Sequence, residues 1–351
     1  MEGIFKNHNK DKFEIYGFDY GNFHNDETHE RIKKYFDKFY YINDLQDEKV
    51  AEIVKENKID IAIHRNGYSQ SSRNSLFAKK IAPIQISFLG YPGTMGVKFI
   101  DYIIADKVVI PDKNKQFFLE KIIYLPNTYY PTNNERVISE KRYKKIDLGI
   151  DDKSFVFGCF NNSYKISPNE FTIWMKLLDK IKNSVLVLLI NDELTKKNLI
   201  KEIKKNNQDP NRVKFLNFIE NKDHLARHKL IDLYLDTFNY NGHTSSIDAL
   251  FTGVPVLTKI GKSFTSRVCT SIIQSFEMPE LITSSEQEYY EQAVEIATNK
   301  KKFIKLKLDV KNKIKETALF DTKKYVKNLE TAYSLALNNR VIQNKVDHIT
   351  F

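Results

Sequence analysis

Apolar runs of strand length recur along the chain, separated by stretches with helical spacing. Phe13-Glu14-Ile15-Tyr16-Gly17-Phe18 reads as a strand, residues 47–57 as a helix, and Ile59-Asp60-Ile61-Ala62-Ile63 as a second strand. Residues 74–80 form a short helix, and strands follow at 84–88, 102–104 and 121–125. A second series starts near Asp151, with strands at 155–160, 184–190, 212–218, 230–235 and 254–258. Between its first two strands, Ser167-Pro168-Asn169-Glu170 combines a capping box with proline at the first helical position. Phe171, Trp174, Met175 and Leu178 then fall on one helix face, so Trp174 is expected to pack in the core. After about residue 286 the pattern turns helical, and Asp321 is placed to cap a last helix carrying Tyr325, Leu329, Ala332 and Ala336 on one side.

Such alternation predicts an α/β protein with parallel sheets. A polar stretch at 132–145 with little apolar periodicity separates the two series. The expected organisation is a first lobe over 1–135, a linker over 136–150, a second lobe over 151–315 and C-terminal helices over 316–351, packing back towards the first lobe. A length of 351 residues suits two such lobes. No apolar run is long enough for a membrane span, and the first residues lack the pattern of a signal peptide. Two cysteines, Cys159 and Cys269, are too few for a disulfide scaffold or a structural zinc site and fit a reducing cytoplasm. The net charge of +10 favours phosphorylated ligands, but lysine is scattered over the whole chain and solvated faces account for most of it. No RNA-binding signature and no Cys/His finger spacing occurs, so nucleic acid is not an expected partner.

Four segments carry candidate chemistry. The string from Leu235 to Leu250 places a strand end near Asp236, a turn at Asn241-Gly242 and a helix starting at His243 or Thr244. It is either an ordinary capped helix in a βαβ unit or an anion site, where backbone N–H groups with Thr244 and Ser245 meet a diphosphate and Asp248 reaches a ribose diol. Lys165, just ahead of the capping box, is either a surface lysine or a phosphate partner. His224 and Arg227 lie three apart on one helix face, where a ring can stack on a base and a guanidinium can pair with a carbonyl. Leu89-Gly90-Tyr91-Pro92-Gly93-Thr94-Met95-Gly96 is a loop small enough for close backbone approach to a ligand. No P-loop, nucleophile elbow or metal-ligand spacing is present.

Together these strings resemble the catalytic region of the O-GlcNAc transferase family. The resemblance rests on Asn66-Gly67-Tyr68 with Arg73-Asn74, Ala82-Pro83-Ile84-Gln85, Leu89-Gly90-Tyr91-Pro92-Gly93-Thr94, Asp101-Tyr102-Ile103-Ile104, Tyr164-Lys165-Ile166, Asn241-Gly242-His243-Thr244 and Ser266-Arg267-Val268, in the family's order. It implies a GT-B fold of two Rossmann-like lobes across a cleft. It also implies inverting transfer of N-acetylglucosamine, or a related hexose, from a UDP-sugar to protein hydroxyls. Neither a metal nor a cofactor is implied; the UDP-sugar is the donor substrate. Lys165 and His243 are the implied catalytic residues, with Lys165 neutralising the diphosphate. His243, Thr244 and Ser245 would bind its oxygens, Asp248 the ribose, and His224 the uracil with Arg227 beside it. Leu89, Gly90 and Pro92 would line the sugar pocket. Asn162 stands where the family commonly has glutamine, and Asn221 where animal enzymes have lysine.

The family's first lobe opens with a strand and an Asp-Phe-Gly-x-His type segment, and Asn9-Lys10-Asp11-Lys12-Phe13-Glu14 matches the family just after that segment. The string from Gly17 to His24 looks similar to it but aligns elsewhere. The resemblance therefore leaves two expectations: an active transferase acting on a protein acceptor, or a UDP-binding module completed by a separate chain that supplies the repeats or the opening segment.

Overall fold

The computed structural model describes residues 1–21 and 26–351; Asn22, Phe23 and His24, the end of the Gly17–His24 string, lie outside the described residues. The chain divides into two compact units, Met1–Glu135 with Asp321–Phe351, and Arg136–Phe320.

The first unit opens with α1 (Glu2–Asn7), β1 (Tyr16–Asp19), α2 (Glu27–Lys33) and β2 (Lys38–Tyr41). It continues through α3 (Asp47–Glu56), β3 (Ile61–His64), α4 (Asn74–Ala78), β4 (Ile84–Ser87), β5 (Tyr102–Ala105) and β6 (Lys121–Tyr124). The second unit runs β7 (Phe155–Cys159), α5 (Pro168–Lys180), β8 (Ser184–Leu189), α6 (Glu193–Lys205), β9 (Val213–Leu216), α7 (Asn221–Arg227) and β10 (Leu233–Leu235). It is completed by α8 (Thr244–Phe251), β11 (Val256–Lys259), α9 (Val268–Ser275), β12 (Ile282–Thr283), α10 (Glu286–Thr298) and α11 (Lys300–Lys313). The chain then returns to the first unit with α12 (Thr322–Val341) and β13 (Ile349–Thr350).

All strand pairings among the described residues are parallel. The second unit holds one six-stranded sheet, ordered β12-β11-β10-β7-β8-β9. The chain moves outward from β7 to β9 and then restarts beside β7 at β10, so the strand order reverses between β7 and β10. Ligands of open α/β sheets bind at the carboxyl ends of the strands flanking such a reversal. The interior strands are apolar on both faces because helices cover both sides: Val156, Phe157, Leu186, Val187, Leu188 and Tyr234 are all buried. Trp174 is 1% exposed within α5, and the Ser167/Glu170 capping box forms as the sequence predicts.

In the first unit β13-β6-β5-β4-β3 form one sheet, while β1 and β2 pair only with each other among the described residues. α12 begins at its Asp321 cap, whose carboxylate accepts from the Lys324 N–H at 2.9 Å. Tyr325 and Thr322 bond the 129–134 segment, which ties α12 into this unit. The first strand is displaced from the sequence expectation, to Tyr16–Asp19 rather than 13–18. Local alternation begins earlier than pairing does, because β2 fixes the register. β2 itself, Lys38-Phe39-Tyr40-Tyr41, follows a helix too short and polar to mark its start, and α1 also lacks a visible signal.

Candidate nucleotide-binding site

The loops after β7 and β10 meet at the reversal point. Asp236, directly after β10, is the anchor. It is fully buried and accepts from the Gly242 N–H at 2.6 Å, Thr258 Oγ1 at 2.7 Å and Asn161 Nδ2 at 3.1 Å. Burial pushes its carboxyl up to about 6 against those hydrogen bonds. Asn161, after β7, also donates to Thr237 Oγ1 at 2.8 Å and accepts from Tyr234 at 3.1 Å and from the Ser245 hydroxyl. One amide thus ties both loops to the first turn of α8. Gly242 stands where a Cβ would collide with Ser246 Oγ and crowd Asn161 Oδ1, so the turn into α8 admits no side chain.

Lys165 reaches across from the β7 loop. Its Nζ donates to the Asn241 carbonyl at 3.0 Å and stands 3.9 Å from the centre of the Tyr240 ring. Burial lowers its pKa, with the Asp236 charge pulling the other way. His243 is the N-cap residue of α8 and lies 5.2 Å from Tyr240, ring to ring. Burial and the Lys165 charge push its imidazole down to about 3. α6, α10 and α11 carry side-chain caps at Asp192, Ser285 and Asn299, whereas α8, like α3, α4, α7 and α9, has none. Thr244 is exposed and Ser245 partly buried, at the start of that helix.

A second cluster hangs on Phe160, one residue before Asn161. Arg227 Nε donates to His224 Nδ1 at 2.9 Å, and its Nη1 to the Asn217 carbonyl at 2.7 Å. With Nδ1 accepting, neutral His224 carries its proton on Nε2. The His224 ring packs 5.3 Å from Phe160 and 4.7 Å from His228. Burial, then the Arg227 charge, brings His224 down to about 4; burial leaves Arg227 at about 10 and His228 at about 3.

Asp248, 4% exposed, forms an ion pair with Arg136 Nη1. Burial raises its pKa and Arg136 opposes this. The Arg136 guanidinium lies 4.6 Å from the Phe251 ring centre, and its Nε and Nη2 have no hydrogen-bond partner among the described residues. Sequence reasoning missed Arg136, which sits in the stretch expected to be a linker; nothing local marks it, since its partner is 112 residues away. Asn161 and Asp236 were passed over too, although each closely follows an apolar strand. Asn162 is exposed, its Nδ2 donating to the Tyr164 hydroxyl at 3.4 Å, and Asn221 is exposed at the start of α7.

Leu89, Gly90 and Pro92 lie in the other unit, after the carboxyl end of β4. Leu89 adopts φ +74°, a left-handed conformation uncommon for a branched side chain. A Cβ on Gly90 would run into the Arg65 carbonyl oxygen, which accounts for the glycine. Among the described residues, no group of three His, Cys, Asp or Glu side chains is placed to hold a metal ion. No helix there is long and apolar enough to cross a membrane.

The three histidines make the second unit acid-sensitive. Each ordinarily titrates at 6.5 and is held at about 3 or 4 when folded. The unfolded chain therefore binds more protons below 6.5, and the stability they contribute is present above that pH and lost as pH falls. Asp236 works in reverse: held at about 6 against 3.8, it favours the folded state most below 3.8 and loses that contribution as pH rises through 6. Three groups outweigh one, so the melting temperature should be lower at about pH 5 than at about pH 7.5. His224→Gln with His228→Asn should flatten the slope; a profile flat or rising towards acid in the parent chain would contradict this assignment.

The chain matches the family described as Glycosyl transferase family 41 over residues 1–148 and 133–329. It is 32% identical over 339 residues to the Arabidopsis thaliana protein named Probable UDP-N-acetylglucosamine–peptide N-acetylglucosaminyltransferase SEC, covering 95% of this chain and 35% of that one. A Caenorhabditis elegans UDP-N-acetylglucosamine–peptide N-acetylglucosaminyltransferase is 25% identical over 464 residues, covering all of this chain and 40% of that protein. The chain thus spans little more than a third of the length of these curated relatives. Among solved structures, a mutant Thermobaculum terrenum O-GlcNAc transferase superimposes with a TM-score of 0.91 at 24% identity, over 98% of this chain and 65% of that one. Anabaena HepE, crystallised with UDP and glucose, gives 0.62 at 12% identity, over 95% and 94%. These likenesses establish the GT-B fold, with Rossmann-like α/β units. With the family pattern extending through both units, the chain belongs to glycosyl transferase family 41.

Proposed function

We propose that the chain binds a UDP-sugar at the carboxyl ends of β7 and β10 and transfers the sugar, N-acetylglucosamine or a related hexose, to protein hydroxyls with inversion. The observation that carries this reading is Lys165, fixed on the Asn241 carbonyl beside the start of α8, which has no side-chain cap. A diphosphate there meets an ammonium, the hydroxyls of Thr244 and Ser245, and the positive end of a helix dipole. These groups favour the charge that develops on UDP as its bond to the sugar breaks, and they need no reorganisation to do so. His243 supports the same oxygens. His224, oriented by Arg227, stacks on uracil, and Asp248 with Arg136 forms the ribose end. The donor named for both curated relatives supports UDP-N-acetylglucosamine. Two buried thiols suit a reducing cytoplasm.

A second reading is a UDP-binding module that needs a further segment for catalysis. It is favoured by the edges of β1 and β3 in the first unit, which pair with no strand among the described residues. Calorimetry with UDP, uridine and UDP-sugars, followed by incubation with labelled UDP-sugar and cell proteins, separates the two. Tight UDP binding with labelled protein supports the transferase, and binding without turnover supports the module. Failure of every uridine nucleotide to bind or to raise the melting temperature removes both.

A further inference from the structure

Lys165 and Asp236 hold the two ends of one peptide group. The Asp236 carboxylate accepts from the Gly242 N–H at 2.6 Å, and the Lys165 ammonium donates to the Asn241 carbonyl at 3.0 Å. That N–H and that carbonyl belong to the same planar, resonance-stabilised unit. An anion on the N–H makes the C=O a stronger acceptor, because hydrogen bonds in series polarise one another. The unit is also kept from turning. Asn241 donates its N–H to the Thr265 carbonyl at 3.0 Å and its Nδ2 to the Thr237 carbonyl at 2.7 Å, and its Oδ1 accepts from the Cys269 N–H at 3.3 Å.

Hydrogen bonding alone does not call for a carboxylate at position 236. An asparagine oxygen would accept from Gly242 as well, and a neutral group costs less to bury. What the carboxylate adds is charge. Lys165 is partly buried, and burial favours its neutral form; the Asp236 charge is the largest influence opposing this, ahead of the thiols of Cys159 and Cys269. Burial holds both thiols protonated, as it does the phenols of Tyr234 and Tyr289, which also act on Asp236. Glu170, another carboxyl of this neighbourhood, accepts from the Ser167 N–H at 2.7 Å, and His243 is neutral. Asp236, held at about 6, is ionised above that pH and is then the counter-charge of Lys165.

We infer that Asp236, too deeply enclosed to touch a ligand, is the positioning residue of Lys165: through the Asn241–Gly242 peptide it fixes where the ammonium stands, and it supplies the charge that keeps that ammonium a cation. The consequence for sugar transfer rests on the UDP reading of the site; the coupling itself is a property of the unliganded chain.

Trace acylation of the full chain with acetic anhydride, read at each lysine by peptide mass spectrometry, follows the un-ionised fraction of Lys165 as pH rises from about 7 to about 10.5. Lys145, bonded to the Ser154 carbonyl at 2.8 Å ahead of the opposite end of β7, is the reference. Asp236→Asn keeps the shape and removes the charge. It should make Lys165 about tenfold or more reactive at a given pH and leave Lys145 unchanged. In the same variant the preference for UDP over uridine should be lost at a lower pH than in the parent, with uridine affinity unaltered. The coupling is overturned if Lys165 reacts as in the parent. It is equally overturned if Lys145 gains reactivity alongside it, since the substitution would then only loosen the unit. If neither chain binds UDP while Lys165 still shifts, the coupling stands and the UDP reading falls. Where Asp236→Asn fails to fold, Lys165→Met decides. It should lower the melting temperature more at about pH 7.5, where Asp236 is charged, than at about pH 5, where it is neutral. An equal loss at both pH values overturns the inference.

Discussion

Lys165→Ala slows sugar transfer by roughly 10²–10³-fold, the scale for removing one group that meets developing charge in a transition state. The ammonium has a carbonyl partner and an aromatic face in the unliganded protein, so it is already held in place when the diphosphate arrives. Its removal withdraws charge from the leaving group, and ground-state affinity changes less than the rate does. Single-turnover transfer and UDP calorimetry on the same variant measure the two separately. The contact also has a readout without turnover. The parent chain should prefer UDP to uridine, and the alanine variant should lose most of that preference. An unchanged rate, or an unchanged UDP-to-uridine affinity ratio, would remove Lys165 from the reaction.

Asp248→Ala has two consequences, and the ion pair makes the structural one the larger. The variant leaves the Arg136 guanidinium largely buried without its carboxylate. Breaking a buried pair from one side costs about 3–5 kcal/mol, because the remaining charge stays out of water. Denaturant unfolding should show that loss, with a fall in UDP affinity of about 1–3 kcal/mol beside it, the scale of a hydrogen bond to a charged group. Exchanging both residues for apolar ones of similar size, Arg136→Met with Asp248→Leu, should recover most of the stability and none of the affinity. If Asp248→Ala unfolds at the same denaturant concentration as the parent, the pair does not hold the unit together. If it binds UDP equally well, the carboxylate has no part in the nucleotide site.

Much of the architecture was legible along the chain. Helix starts such as Ser167 and Asp321 are local chemistry, since a side chain within three residues satisfies the exposed amide. Interior strands such as 155–159 and 184–189 declare themselves by being apolar on both faces. The turn at Asn241-Gly242 and the helix after it were equally visible, because the glycine and the short polar residues are responses to local sterics. β2 and β13 were not legible, being short and dependent on a partner strand for their register.

The candidate site divides in the same way. Its residue types, with lysine before a capping box and histidine and hydroxyls at a helix start, could be read from the order of residues, together with two parallel α/β series and a bias towards phosphorylated ligands. Folding in three dimensions was needed to show that Asn161 and Asp236 bind the β7 and β10 loops together, that Arg136 returns from the expected linker to meet Asp248, and that β1 and β3, in separate sheets, line one cavity. Each of these depends on contacts between residues some 40 to 110 positions apart. Hydrogen bonds and ion pairs of that span leave no periodicity in the sequence, because their geometry exists only after the sheet has brought distant loops to one edge.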